Sequence, residues 1–239
     1  MIPWLQPGDP PDAFPPVTQA LTEPDGLLCA GGDLRPERIL AAYRRGIFPW
    51  YSEGQPILWW SPDPRMVLYP AELKVSRSLR KVIRQERFTV TLDTCFDTVM
   101  CQCGDSGTRA ARGTWILPEM REAYGELHRL GHAHSVEVWL ADPARPGKPS
   151  LVGGLYGLLL GRVFFGESMF SQVTDASKVA LHWLVRWAQA ERGVELIDCQ
   201  VASDHLFTLG ARLIPRTQFI AQLERSVPRP GLAASAIRT

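Results

Sequence analysis

Residues 151–201 read LVGGLYGLLLGRVFFGESMFSQVTDASKVALHWLVRWAQAERGVELIDCQV. Two apolar runs, Leu151–Leu160 and Val163–Phe170, are joined through Gly161-Arg162, which predicts two strands and a tight connection. Asp175 or Thr174 stands where a helix cap belongs, and Gly193 where a helix stops. Between them Val179, Ala180, Trp183, Leu184 and Trp187 recur at helical spacing. Glu195–Val201 returns to strand. Strands alternating with helices predict an α/β or α+β domain with a mixed sheet.

Outward from this stretch the alternation continues. A helix is expected over Asp204–Leu209, a strand over Arg212–Ile214 and a helix over Thr217–Arg225, with a disordered tail beyond Pro228. Upstream, Ser76 caps a helix reaching about Ile83, and Phe88–Leu92 reads as a strand. Cys95–Cys103 reads as a short helix and loop. Pro118–Leu130 is helical, with Pro118 in the first turn and Gly131 after the end. His134–Leu140 alternates as a strand, and Pro143–Pro149 is rich in turn formers. Prolines crowd residues 1–70, and each removes an amide donor, so that stretch is neither mostly helix nor central sheet. Its one clear helix is Pro36–Arg45, ended by Gly46, with Ile39, Leu40 and Tyr43 on the buried side. A small loop-rich unit over residues 1–64 and a larger one over 65–239 are expected.

The chain has 239 residues and a formal net charge of +1. Near-neutrality argues against bulk nucleic-acid binding, so any such contact must use a local patch. The apolar run near 155–165 is broken by Gly157, Gly161 and Arg162, so no membrane span is expected. Met1-Ile2-Pro3-Trp4 has no basic or apolar leader, which places the protein in the cytoplasm. The five cysteines are irregularly spaced and make no disulfide framework. Cys95, Cys101 and Cys103 with His132 or His134 lack the Cys-x-x-Cys pair of a zinc site, so no metal is expected.

Four constellations stand out. Glu167 and Ser168 interrupt an apolar strand, and a charge there must face a partner, a cleft or solvent; an exposed edge strand reads the same way. Asp198 and Gln200 are two apart on a strand, so regular alternation puts them on one face, lining either a cleft or a solvated edge. Arg77, Arg80, Lys81 and Arg84 recur at helical spacing, as a phosphate-tracking face or an ordinary solvated one. Trp50, Trp59, Trp60 and Trp115 lie in turn-rich segments, as core plugs or as platforms for bases.

Taken in order, DGLLCAGGDL (25–34), AYRRGIFPWYS (42–52), ILWWSPDPR (57–65), GTWI (113–116), LGHAHSVEVW (130–139), GGLYG (153–157), FGESMFS (165–171), ASK (176–178), LIDCQV (196–201) and LGARLIPR (209–216) resemble the leucyl/phenylalanyl-tRNA–protein transferase family. The resemblance runs from about residue 14 to 223. It implies a small N-terminal domain and a larger C-terminal domain of the acetyltransferase-like (GNAT) type. It also implies transfer of leucine or phenylalanine, less readily methionine, from tRNA to proteins beginning with arginine or lysine, which marks them for degradation. Leu-tRNA, Phe-tRNA and those acceptor proteins would be the partners of a monomer without a cofactor.

By the same resemblance Asp198 and Gln200 are the catalytic pair, and Glu167, with Asp198 as its competitor, meets the acceptor N-terminus. Leu155, Phe164, Met169, Leu181, Leu184 and Ile197 form the aminoacyl pocket; Leu184 departs from the aromatic found in relatives. Trp50 and Trp115 flank the 3′ adenosine, and Arg77, Arg80, Lys81 and Arg84 contact the tRNA stem. The chemistry is aminolysis of an ester. The attacking amine has a reference pKa of about 7.7–8.0, so its deprotonation near pH 7 costs only about 1 kcal/mol. A neutral amide is a poor proton acceptor, so Gln200 is expected to orient the amine while Asp198 fixes Gln200 or takes the proton. Three rival readings stand beside it: an RNA-binding module without catalysis, which leaves Glu167, Asp198 and Gln200 unexplained; a cell-wall aminoacyl transferase, which shares the donor; and an acyl-CoA N-acetyltransferase. Against the acetyltransferase, Ser171–Ala176 has no glycine for a pyrophosphate cradle and adds a carboxylate.

Overall fold

Short strands are all that the proline-rich N-terminal segment supports. In the computed structural model, which describes residues 2–105, 116–142 and 146–228, β1 (Trp4–Leu5), β2 (Leu27–Gly31), β3 (Phe48–Pro49) and β4 (Leu58–Trp60) form a small sheet in the order β1-β2-β4-β3. Helix α1 (Pro36–Arg44) lies beside it, with Pro36 in its first turn and Ile39, Leu40 and Tyr43 buried. Loops make up most of what remains of this segment.

A seven-stranded sheet follows. It contains β5 (Arg65–Leu68), β6 (Phe88–Leu92), β7 (Ala133–Leu140), β8 (Ser150–Leu160), β9 (Val163–Ser171), β10 (Leu196–Gln200) and β11 (Arg212–Ile214). Their order is β11-β5-β10-β9-β8-β7-β6. Neighbours are antiparallel except β9 and β10, which run parallel. Among the described residues this part also holds helices α2 (Arg77–Arg84), α3 (Phe96–Asp105), α4 (Pro118–Arg129), α5 (Ala176–Arg192), α6 (Asp204–Thr208) and α7 (Arg216–Ser226). The crossover between the parallel strands is α5, since a parallel pair cannot be joined by a tight turn.

Alternate strand residues feed two apolar layers. Val67, Leu158, Phe165 and Phe170 pack with α1, α3, α4 and α7 in one cluster. Leu68, Val136, Leu155, Phe164 and Ile197 pack with α2 and α5 in the other. The sheet is therefore covered on both faces, which explains why β8 and β9 read as nearly unbroken apolar runs.

Three local expectations need correction. Residues 65–68 form a central strand, paired with both β10 and β11. Surrounding prolines hide this strand, yet none falls within Arg65-Met66-Val67-Leu68. Asp175 makes no side-chain cap; it sits in left-handed backbone (φ +71°) and holds Lys178 Nζ at 2.9 Å. The capping expectation does hold at Ser76, whose Oγ accepts from the Leu79 amide at 3.1 Å. Third, the strand read as Glu195–Val201 is regular only over Leu196–Asp198, because an extra residue enters at Cys199. The turn-rich Pro143–Pro149 falls partly, and the tail beyond Pro228 wholly, outside the described residues.

Glycine at position 157 is dictated by close approach. A Cβ there would lie 2.1 Å from the Phe165 carbonyl oxygen and 2.7 Å from the Phe164 ring. Gly157→Ala should therefore strain the β8–β9 pair and cost about 1–3 kcal/mol, the usual range for overpacking. Urea denaturation should show a lowered midpoint at unchanged slope, whereas an unchanged midpoint would mean the strands have slack.

Candidate active site

The parallel pair comes apart just where the polar residues begin. Leu196, Ile197 and Asp198 pair with Val163, Phe164 and Phe165, and no pairing is recorded further along. On β9 the register with β8 shifts, so that Tyr156 faces Ser168 while Gly157 faces Gly166, leaving Glu167 as the extra residue. On β10 Asp198 faces Val67 while Gln200 faces Met66, leaving Cys199 as the extra residue. Gln200 is forced into left-handed backbone at φ +58°. Bulges interrupt pairing and turn side chains out of their regular alternation. Two of them on adjacent strands open a slot through the sheet.

A cavity of about 600 Å³ occupies that slot. Its apolar end is lined by Leu155, Phe164, Met169, Leu181, Leu184 and Ile197, between the sheet and α5. Phe164 and Met169 share this side although they are five positions apart, an odd offset, because the bulge at Glu167 reverses the alternation. Glu167, Cys199 and Gln200 line the polar middle, and Trp50 with Phe48 lines the N-terminal side. Trp50 is 43% exposed. Its ring sits 5.8 Å from that of Trp60, and its carbonyl accepts from Trp60 Nε1 at 2.6 Å.

Asp198 is not on the cavity wall. It is fully buried, and both carboxylate oxygens are taken by Arg65, with Nε to Oδ1 at 2.8 Å and Nη2 to Oδ2 at 2.7 Å. The guanidinium carbon lies 4.7 and 4.8 Å from the ring centroids of Phe48 and Phe219. Asp198 Oδ1 also accepts the Gln200 backbone N–H at 3.0 Å. So the aspartate pins the bulge that presents Gln200, and the expected shared row of Asp198 and Gln200 is not formed.

Glu167 is half-buried and lines the cavity, and its carboxyl oxygens are met by tyrosines from α1 and α4. Tyr43 donates to Oε1 at 2.6 Å, Tyr124 donates to Oε2 at 3.2 Å, and the two phenol oxygens lie 2.6 Å apart. Gln200 Nε2 reaches Oε1 at 3.4 Å. Burial pushes the Glu167 carboxyl up to about 8, a rise to which the charge of Asp198 adds and which the tyrosine hydrogen bonds and Arg65 oppose. Tyr43 and Tyr124 are held well above the ordinary phenol range, chiefly by burial and then by the charge of Glu167.

The sequence reading missed Arg65, Tyr124 and the role of Tyr43, which it placed only on a buried helix face. Arg65 did carry a signal, since a lone arginine opening an apolar run needs a buried partner. Trp115 lies outside the described residues. Arg77, Arg80, Lys81 and Arg84 are all exposed on α2, and none forms an ion pair among the described residues. No cluster of three or more metal-ligating side chains occurs among the described residues.

The start of α5 is already satisfied. Ala176, Ser177 and Val179 amides donate to Val173 O, Ser171 Oγ and Asp175 O, and Asp175 adds a carboxylate. A pyrophosphate would find few free donors there and a like charge.

Two adjoining family models match this chain. "Leucyl/phenylalanyl-tRNA protein transferase N-terminal domain" matches residues 32–63, and "Leucyl/phenylalanyl-tRNA protein transferase" matches residues 67–224. Curated relatives bearing the name leucyl/phenylalanyl-tRNA–protein transferase include one from Azoarcus sp. (strain BH72), 59% identical over 94% of this chain and 91% of its own length. One from Aromatoleum aromaticum is 58% identical over 93% and 89%. One from Chromobacterium violaceum is 54% identical over 96% and 94%. A solved structure of FemX covers 75% of this chain and 66% of its own at 11% identity, with a TM-score of 0.47, too low a likeness to bear on function.

Two outcomes follow from the site's electrostatics. Arg65→Met should cost about 3–5 kcal/mol in urea unfolding, because it strands a buried carboxylate; a loss below 1 kcal/mol would mean that Asp198 reaches solvent. The Glu167 effect depends on pH. Its carboxyl binds a proton more tightly folded than unfolded, so its contribution to stability is present below about pH 4.5 and is lost as pH rises through about 8. Relative to wild type, Glu167→Gln should therefore gain stability between pH 5 and 8.5; parallel pH profiles would contradict this.

The chain belongs to the leucyl/phenylalanyl-tRNA–protein transferase family.

Proposed function

We propose that this chain is an aminoacyltransferase that moves leucine or phenylalanine, and less readily methionine, from aminoacyl-tRNA to the α-amino group of proteins beginning with arginine or lysine. The product then carries a destabilising N-terminal residue and enters N-degron degradation in the cytoplasm. One observation carries this reading beyond family membership. A single cavity joins a dry end able to hold an apolar side chain to a polar middle bearing Glu167 and Gln200, with exposed Trp50 at its side. That is the combination needed by an ester whose amino acid is apolar, whose carbonyl reacts with an amine, and whose alcohol is a nucleoside.

In this reading Leu155, Phe164, Met169, Leu181, Leu184 and Ile197 hold the aminoacyl side chain. Met169 gives an adaptable wall that suits both branched and aromatic groups. Trp50 stacks on the 3′ adenosine, joined by Trp115. Glu167 meets the cationic acceptor N-terminus. Gln200 accepts an N–H of the amine through its carbonyl oxygen, and Asp198 holds Gln200 in place. Ester and amine are already reactive partners, so positioning supplies much of the rate and no cofactor is required. Arg77, Arg80, Lys81 and Arg84 contact the acceptor stem through phosphates, which makes the contact blind to sequence and sensitive to salt. The working unit in this reading is a monomer. Among the described residues no helix is long and apolar enough to cross a membrane.

The direct test is incubation with labelled Phe-tRNA and a peptide beginning with arginine. Label should appear on the peptide and not on one beginning with an acetylated residue. Absence of transfer, with transfer from acetyl-CoA instead, would return the chain to the acetyltransferase alternative. Arg80→Ala should weaken tRNA binding and lower the slope of log K against log salt by about 1; an unchanged slope would make α2 an ordinary solvated face.

A further inference from the structure

Three oxygen contacts meet around Glu167, a residue of the cavity wall. Tyr43 Oη approaches Glu167 Oε1 and Tyr124 Oη, each at 2.6 Å, and Tyr124 Oη approaches Glu167 Oε2 at 3.2 Å. Each contact needs a proton between its oxygens. A phenol carries one proton, so two tyrosines can serve only two of the three. A proton on the carboxyl serves the third and closes a ring, in which Oε2–H donates to Tyr124, Tyr124 to Tyr43, and Tyr43 to Oε1. With the carboxyl ionised, one close contact is left without a proton. The triangle is thus shaped to keep a proton on Glu167.

The other polar groups at the bulges are worse placed to accept one. Asp198 is sealed from the cavity, and its oxygens are already bonded to Arg65 and the Gln200 amide. Gln200 is a neutral amide. Among the described residues that line the cavity Glu167 is the only carboxylate, and it is the one that Gln200 touches. His205 also lines the cavity, but from α6.

We propose that Glu167 is the group that takes the proton from the acceptor's α-amine, with Tyr43 and Tyr124 as its positioning residues. This rests on the aminoacyl-transfer reading above and narrows the part of Glu167 in meeting the acceptor N-terminus. In the ionised fraction of the enzyme, which grows as pH rises toward about 8, the acceptor arrives as an ammonium ion and gives its first proton to the Glu167 carboxylate, which closes the ring. The neutral nitrogen then attacks the ester carbonyl. The N–C bond forms, and the C–O3′ bond breaks with its electron pair going to O3′. The second nitrogen proton ends on that oxygen. Glu167 returns its proton to water when the product leaves. Donor and acceptor are matched: a terminal amine titrates at about 7.7–8.0, and the enclosed carboxyl at about 8. The groups facing Glu167 are Tyr43 from α1, Tyr124 from α4, Asp198 and Gln200 from β10, and Arg65 from β5.

The test is kcat at saturating Arg-peptide and Phe-tRNA for wild type, Glu167→Gln, Tyr43→Phe, Gln200→Leu and His205→Asn, at pH 6.5 to 9. Glu167→Gln should lose about five- to tenfold in kcat at pH 7, the factor set by the small neutral fraction of an amine titrating at about 7.7–8.0, and less than twofold at pH 9, where solvent already strips the amine. Tyr43→Phe should show a smaller defect with the same pH trend, and Gln200→Leu a defect that does not shrink with pH. A Glu167→Gln effect confined to the KM of the peptide would overturn the proposal and leave Glu167 a binding group. A defect that shrinks with pH in His205→Asn but not in Glu167→Gln would overturn it in favour of the histidine. Circular dichroism and Phe-tRNA binding of each variant separate these outcomes from misfolding. Failure of wild type itself to transfer would count against the reaction, not against the base.

Discussion

The arrangement of this site depends on one buried ion pair. Arg65 opens β5, and Asp198 lies on the neighbouring β10; two hydrogen bonds of 2.7 and 2.8 Å join them out of water. A buried pair of this kind adds little net stability, since desolvation consumes most of its Coulomb energy. What it contributes is specificity of placement. The ring centroids of Phe48 from the small sheet and Phe219 from α7 lie 4.7 and 4.8 Å from the guanidinium carbon. Asp198 then holds the Gln200 amide, and with it the left-handed turn that ends β10. The small sheet, α7 and the central strands are thereby brought to bear on the two residues where the parallel pair parts.

From that parting the rest of the site follows. Glu167 and Cys199 are each one residue too many for their strand's register with its antiparallel neighbour. The slot they open lets one cavity reach from the apolar layer under α5 to Trp50 beside the small sheet. An apolar side chain on one side, a reacting carbonyl in the middle and a nucleobase at the aromatic side would each find a fitting surface. The two tyrosines at Glu167 come from helices far apart in sequence, which ties proton handling at the slot to the docking of α1 and α4 on the sheet.

Much of this was legible in the sequence, for identifiable reasons. The helix of residues 176–192 announced itself through Val179, Ala180 and Leu184 at helical spacing and through Gly193, which takes the left-handed conformation at its end. Glu167 and Asp198 stood out because a charge within an apolar strand requires a partner. The partners were not legible. Arg65 lies 133 residues from Asp198, and Tyr43 lies 124 residues from Glu167; no local pattern joins such positions. The bulges were hidden as well, because an extra residue in a strand leaves no mark on composition. That is why Asp198 and Gln200 read as one row when only Gln200 reaches the cavity. Strand β5 was masked by the prolines before it, although its own four residues include none.

The central claim is that one cavity seats the aminoacyl ester across the parted strands. A crystal structure with a non-hydrolysable 3′-phenylalanylamino-adenosine tests it most directly. The account predicts the phenyl ring among Leu155, Met169 and Leu184, the amide carbonyl beside Gln200, and adenine on Trp50. A phenyl ring seated outside the slot, with the cavity unfilled, would contradict it.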